Sequence, residues 1–150
     1  MKRNQQRAIV LLSVLLGIGC QSTRDNFPHI RYGEQTCDRC GMIISEKRFS
    51  AAYRTGKGEL LKFDDFGCAL LHRAEQQEAI AQVWGYDYEE TGWLDARGAF
   101  FVNSPTVTTP MGYGIVAFST QEKAEAYAKR VKGQTLQFDP LVSTWLISQK

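Results

Sequence analysis

The order of short apolar segments constrains the fold of this chain most, because the pattern strand, strand, helix, strand occurs twice. In the first copy, residues 48–54 are rich in small and aromatic residues, and residues 59–63 alternate in polarity after a Gly-Lys-Gly turn, which predicts a hairpin. A helix that begins at an aspartate cap and ends near residue 78 follows it. Residues 79–88 then have the composition of a further strand.

The second copy repeats this order. Its predicted segments are strands over residues 93–102 and 115–118, a helix over residues 120–132 and a strand over residues 135–138. Ser119 and Glu122 have capping-box spacing before this helix, and Gly133 suits the left-handed position after it. Because each copy buries its apolar face by packing a helix on a sheet, we expect an α+β protein. It would contain two small ββαβ units, over residues 27–92 and 93–150, each a mainly antiparallel sheet covered by one helix.

The amino terminus has the features of an export leader. Three basic residues precede an apolar run over residues 8–18, which is the order found in secretory signal peptides, and the run is too short to span a bilayer. The five residues that end at Cys20 resemble the lipobox of bacterial lipoproteins. We therefore expect residues 1–19 to be a signal peptide, Cys20 to be lipidated and residues 20–26 to form a polar tether. Cleavage by the ordinary signal peptidase, which would yield a soluble exported protein, is the alternative.

The net charge excludes one class of partner. The full sequence carries +2, but loss of the three basic leader residues leaves 15 basic against 16 acidic side chains, a net charge of −1. A nucleic-acid-binding domain normally has a strongly basic surface. We therefore expect no nucleic-acid partner.

Beyond the leader, the cysteines are the main candidates for chemistry. Cys37, Cys40 and Cys68 are an odd number in a compartment that favours disulfides, so at least one thiol is free, bound to metal or paired with another molecule. Cys37 and Cys40 belong to the segment Cys-Asp-Arg-Cys-Gly-Met, which ends at Met42. Two thiols and a thioether are soft donors, and soft donors favour Cu(I) over the hard cations.

The methionines at positions 42 and 111 lie in glycine-flanked, turn-like sequence, although methionine usually fills gaps in a core. We therefore regard both as candidate thioether ligands. Met111 lies in a connection over residues 104–114 that contains two prolines and two glycines. This connection is longer than a typical hairpin loop, which suggests a functional role.

Two other classes of function remain open. A zinc-stabilised interaction module would use Cys37, Cys40, Cys68 and His72, the last two being spaced i, i+4 on one helix face. A thiol-disulfide oxidoreductase of the cell envelope would use the CxxC pair, although the Gly-Met-Ile-Ile that follows begins a helix poorly. Cys68 on its own has the character of a small buried residue. The paired aspartates before it are interpreted as a helix cap, and no neighbouring group completes a catalytic set, so we expect no enzyme.

Three segments together are more specific than any single motif. They are CDRCGMIISEKRFSAAY, KFDDFGCALLH and FVNSPTVTTPMGYGIVAF, in this order. In this combination they resemble the NosL family, the accessory lipoproteins of nitrous oxide reductase. The resemblance implies two ββαβ units like those of organomercurial lyase, and a membrane-anchored Cu(I)-binding metallochaperone that delivers copper for maturation of that reductase.

The resemblance also implies roles for particular residues and partners. It implies that Cys40, Met42 and Met111 are copper ligands, that Cys37 is a further candidate ligand, and that Cys20 is the lipidated residue. The expected partners are nitrous oxide reductase maturation proteins or the apo-reductase, together with the membrane through the lipid anchor. The expected location is the periplasmic side of the cell envelope, where Gln21 after the lipidated residue favours the outer membrane over the inner.

Overall fold

The computed structural model describes residues 27–77 and 79–149. Within these ranges the chain forms two antiparallel sheets and three helices, which confirms the predicted α+β class. None of the three helices in these ranges has the length and hydrophobicity needed to cross a bilayer. The predicted signal peptide, the lipidation at Cys20 and the tether lie outside the described residues.

The first sheet has four strands and is covered by one helix. Its elements are β1 (Ala51–Thr55), β2 (Leu60–Phe63), α1 (Phe66–Gln76), β3 (Ile80–Tyr86) and β4 (Trp93–Asp95). The strand order is β2-β1-β3-β4, with every pair antiparallel. The predicted hairpin is confirmed as β1 and β2, and the predicted helix as α1.

The second sheet has three strands. Its elements are β5 (Phe100–Asn103), β6 (Ile115–Phe118), α2 (Gln121–Val131) and β7 (Gln134–Gln137), and the strand order is β6-β5-β7. α2 packs across all three strands. A third helix, α3 (Phe138–Ser148), follows β7 directly and contacts both α1 and the second sheet.

One hydrophobic core joins the two sheets. Phe66 at the start of α1 packs against Phe101 of β5, with ring centroids 4.6 Å apart, and against Phe138 of α3 at 6.4 Å. Burial of each such ring stabilises the fold by roughly 2 kcal/mol. The amino end of α1 is therefore fixed from both sheets, and this is the part of the molecule that carries the site described below.

The predicted strand over residues 93–102 is wrong, because these residues form two strands in different sheets. β4 pairs with β3 and β5 pairs with β6 and β7. Between them the Asp95 carboxylate accepts the backbone N–H of Arg97 at 2.9 Å, a local turn that competes with a continuous strand. The first sheet thus includes residues 93–95, which the sequence pattern assigned to the second unit.

The ends of α2 also differ from the prediction. The capping side chain is Thr120 rather than Ser119, and the residue in the left-handed conformation is Lys132, with φ 50°, rather than Gly133. Gly133 is required for a different reason, since a Cβ atom there would lie 2.9 Å from the carbonyl oxygen of Asn103.

The helix α3 was not predicted, because Pro140 was interpreted as the end of a strand. Proline is tolerated in the first turn of a helix, where its missing N–H has no partner to lose. Phe138, Leu141 and Trp145 form the buried face of α3. Their spacing of three and four residues is the signal that identifies this helix in the sequence.

Candidate metal centre

Three thiols and one carboxylate converge at the junction of the CxxC turn, β2 and α1. The Sγ atoms of Cys37, Cys40 and Cys68 and a carboxylate oxygen of Asp64 all lie within 4.8 Å of one another. Cys37, Asp64 and Cys68 are buried, and Cys40 is half-buried. This group of side chains, called the thiol cluster below, is compact enough to hold one metal ion.

A tight turn brings the two cysteines of the CxxC segment together. Thr36 and Ile43 pair at the base of the turn, and the N–H of Cys37 donates to the carbonyl of Met42 at 2.8 Å. The N–H of Gly41 then donates to the carbonyl of Cys37 at 2.9 Å, and Gly41 has φ +75°, a conformation that glycine adopts without strain. The CxxC pair therefore lies in a turn and not at the start of a helix, unlike that of a thioredoxin-like enzyme.

The CxxC turn is attached to the first sheet through Asp38. The backbone N–H of Asp38 donates to the carbonyl of Lys62 at 2.9 Å, and the N–H of Lys62 donates to the Asp38 carboxylate at 2.6 Å. Lys62 lies in β2, two residues before Asp64. These two hydrogen bonds therefore place the CxxC thiols beside the Asp64 carboxylate.

The two consecutive aspartates have different roles. Asp65 caps α1, because its carboxylate accepts the N–H of Gly67 at 2.9 Å, which confirms the predicted cap. Asp64 instead joins the thiol cluster, where it accepts the S–H of Cys40 at 3.5 Å.

Cys68 is more than the small buried residue that the sequence suggested. Its side chain has no exposed surface, as expected, but its Sγ belongs to the thiol cluster. It lies in the first turn of α1, where its N–H donates to the carbonyl of Asp65 at 3.0 Å. The signal in the sequence is the spacing itself, since a cap at Asp65 fixes both Asp64 and Cys68 at the amino end of one helix.

His72, the fourth ligand of the zinc alternative, lies outside the thiol cluster. Its Nδ1 is hydrogen-bonded to the hydroxyl of Tyr53 at 2.6 Å, and its ring packs on Phe63 with centroids 5.5 Å apart. Asp64 rather than His72 completes the group of four.

The two candidate methionines lie on different segments of the chain. Met42 is 59% exposed and lies at the end of the CxxC turn. Met111 is half-buried and packs against the core cluster that includes Cys37 and Cys68. Ligation of a metal by either thioether stays a prediction.

The three thiols of the cluster differ in pKa. The S–H of Cys68 donates to Cys37 and, together with the backbone N–H groups of Cys40, Asp64 and Arg39, lowers the pKa of Cys37 to about 6. Burial raises the pKa of Cys40 to about 11, and the pKa of Cys68 is also raised, first because its proton is shared with Cys37. We therefore expect Cys37 to be the most acidic of the three thiols in the metal-free cluster.

These pKa differences predict how the cluster thiols of the reduced, metal-free chain titrate with pH. As the pH rises through about 6, Cys37 loses its proton, and ultraviolet thiolate absorbance should rise by the amount expected for one cysteine. Among the three cluster thiols, Cys40 should titrate next, near pH 11. Cys37→Ser should remove the lower step, whereas the absence of a step near pH 6 in the unsubstituted chain would contradict the assignment.

Comparison with known proteins is consistent with this geometry. The model of the NosL family matches residues 30–146 of the 150-residue chain. The chain belongs to the NosL family. A search of curated proteins found no match. Among solved structures, the chain is similar to the crystal structure of the copper chaperone NosL from Shewanella denitrificans. The two are 22% identical with a TM-score of 0.68, and the match covers 75% of this chain and 93% of that one, which shows a shared NosL fold.

Proposed function

We propose that this member of the NosL family is a Cu(I)-binding metallochaperone that delivers copper for maturation of nitrous oxide reductase. The observation that supports copper binding is the convergence of three thiols on one point, within 4.8 Å of one another and of Asp64. Sulfur donors select soft ions such as Cu(I). The name of the similar solved structure, a copper chaperone, agrees with this choice.

Delivery requires an ion that is held firmly but can still leave. Cu(I) makes weak demands on geometry, so donor and acceptor ligands can share it briefly during transfer. Buried Cys37 and Cys68 would retain the ion, whereas half-buried Cys40 and exposed Met42 lie on the side that an acceptor can reach. Transfer of this kind breaks no bond in a substrate, in accord with the expectation that the protein is not an enzyme.

The proposed location follows from the leader sequence. Lipidation of Cys20 would anchor the protein on the periplasmic side of the cell envelope, at the outer membrane by the identity of Gln21. Each buried CH₂ of the acyl chains contributes about 0.8 kcal/mol to anchoring. The partners would be maturation proteins of nitrous oxide reductase or the apo-reductase, and the anchor would confine transfer to the membrane surface.

A zinc-stabilised interaction module is the second candidate. It is favoured by Asp64, because three cysteines and one carboxylate supply the four donors of a closed tetrahedral zinc site. Loss of folding on removal of zinc would support this candidate. Dithiol exchange activity that is abolished in Cys40→Ser would support the oxidoreductase alternative instead.

The copper proposal predicts the behaviour of a double variant, Met42→Leu with Met111→Leu. The reduced full chain should bind one Cu(I) in preference to Zn(II). The double variant should lose roughly 10–100-fold in Cu(I) affinity, the size of loss that is typical when a residue supporting a metal site is replaced. Leucine has a similar volume, so the fold should be retained. Cu(I) affinity is measured by competition with a chromophoric Cu(I) chelator, and Zn(II) affinity serves as the control. Unchanged Cu(I) affinity would exclude a role for the thioethers.

A further inference from the structure

We infer that Asp65 is a positioning residue that fastens the Met111 loop to the thiol cluster, so that thiols and thioether act as one copper site. This inference rests on the proposed function. Asp65 is not part of the thiol cluster itself, and its side chain has no exposed surface. It lies between Asp64, which belongs to the cluster, and α1, which carries Cys68.

The Asp65 carboxylate connects two segments that are distant in sequence. One oxygen accepts the N–H of Gly67 at 2.9 Å, in the first turn of α1. The other oxygen accepts the hydroxyl of Thr109 at 2.5 Å and the backbone N–H of Met111 at 3.1 Å. The backbone of Met111 is thus held by the side chain that also caps the helix of Cys68.

The Thr109 hydroxyl extends this connection into the loop. Besides donating to Asp65, it accepts the N–H of Gly114 at 3.2 Å, and Thr109 is itself buried. The hydroxyl therefore fixes the distance between the two ends of the segment that contains Met111. The backbone of this segment is restricted accordingly, and its Met111 side chain packs against the same core cluster to which Cys37 and Cys68 belong.

Tyr113 makes a second contact between the same segments. A Cβ atom at Gly67 would lie 2.4 Å from the Tyr113 ring, so the ring lies directly on the first turn of α1. The Tyr113 hydroxyl accepts a hydrogen bond from Arg39 at 3.2 Å, and Arg39 lies within the CxxC turn. The loop of Met111 is therefore joined to both segments that supply the thiols.

Only a carboxylate satisfies all these contacts, since the three groups that face Asp65 donate hydrogen bonds. Asparagine retains the volume and one acceptor, so Asp65→Asn can still cap α1. Its amide N–H₂ could still donate to the Thr109 hydroxyl, but it could not accept the backbone N–H of Met111. This variant should release the loop while leaving the cysteines in place.

A matched control is available at Asp87. Its side chain is also fully buried, accepts a backbone N–H two residues later, from Glu89 at 3.0 Å, and accepts the hydroxyl of Thr91. Asp87→Asn therefore perturbs the same kind of turn, and neither Asp87 nor its two hydrogen-bond partners belong to the thiol cluster. It should lower thermal stability without changing Cu(I) affinity.

The test is a double-mutant cycle on the reduced full chain, with Cu(I) affinity measured against a chromophoric Cu(I) chelator. Asp65→Asn and Met111→Leu should each lower the affinity about tenfold, the scale of outer-shell changes at metal sites. The double variant should bind no more weakly than Met111→Leu alone, because both substitutions remove the same contribution. Thr109→Val removes both hydrogen bonds of the hydroxyl but keeps the contact between Asp65 and the Met111 N–H, so it should show the same coupling with a smaller loss. It replaces Asp65→Asn in the cycle if that variant does not fold.

Three results would overturn the inference while leaving the proposed function intact. They are additive losses in the double variant, unchanged affinity in either single variant of the cycle, and an equal loss in Asp87→Asn. Absence of Cu(I) binding by the unsubstituted chain would instead overturn the proposed function, and this inference with it.

Discussion

Replacement of Cys68 by serine should lower the Cu(I) affinity of the reduced chain by about a hundredfold or more, or ~2.7 kcal/mol. Cys68 supplies a buried sulfur within 4.8 Å of the thiols of Cys37 and Cys40. A serine hydroxyl is a hard donor and a poor substitute for a soft sulfur toward Cu(I). The affinity is measured by competition with a chromophoric Cu(I) chelator under reducing conditions.

A control for Cys68→Ser lies at the next residue of the same helix. Ala69→Ser also buries a new hydroxyl in the first turns of α1, since Ala69 is almost fully buried. Its destabilisation should be of similar size, about 1–3 kcal/mol, but its copper affinity should match that of the unsubstituted chain. Equal copper affinity in Cys68→Ser and Ala69→Ser would show that Cys68 is only a core residue.

The largest effect on stability is expected for Gly114→Ala. Gly114 has φ +68°, and an added Cβ atom would lie 2.1 Å from the carbonyl oxygen of Ser104. The left-handed conformation costs alanine about 1 kcal/mol, and the clash adds roughly 1–3 kcal/mol. The variant should therefore show a marked fall in the midpoint of thermal unfolding.

Gly112→Ala separates the two contributions to this loss. Gly112 also has a positive φ, +73°, but a Cβ atom there would meet nothing within 4 Å. It should therefore lose only the conformational part, about 1 kcal/mol. If the two variants unfold at the same temperature, the close approach of residues 104 and 114 is not maintained in solution.

Local signals account for the elements that the sequence predicts correctly. The hairpin of β1 and β2 is marked by its glycine turn, and α1 by the Asp65 cap and its apolar face. The break between β4 and β5 and the helix α3 were not predicted, because the local sequence at each place is compatible with two structures. Asp95 favours a turn, whereas the residues on either side of it favour a continuous strand. Pro140 can end a strand as readily as it can lie in the first turn of a helix.

The candidate site was only partly accessible from sequence. The CxxC turn brings Cys37 and Cys40 together through local hydrogen bonds, which the motif itself suggests. Cys68 and Asp64 come close to Cys37 and Cys40 only because the CxxC turn docks on β2. The Met111 loop is joined to the start of α1 only because Thr109 reaches Asp65. No spacing rule encodes contacts between residues that are 24 and 44 positions apart in the sequence.

X-ray absorption at the copper K-edge of the Cu(I)-loaded chain tests the central claim most directly, because it reports the oxidation state and the neighbours of the metal. The account predicts Cu(I) in a shell dominated by sulfur, with one sulfur fewer in Cys68→Ser and an unchanged shell in Ala69→Ser. A shell dominated by nitrogen or oxygen, or identical spectra for Cys68→Ser and the unsubstituted chain, would contradict it.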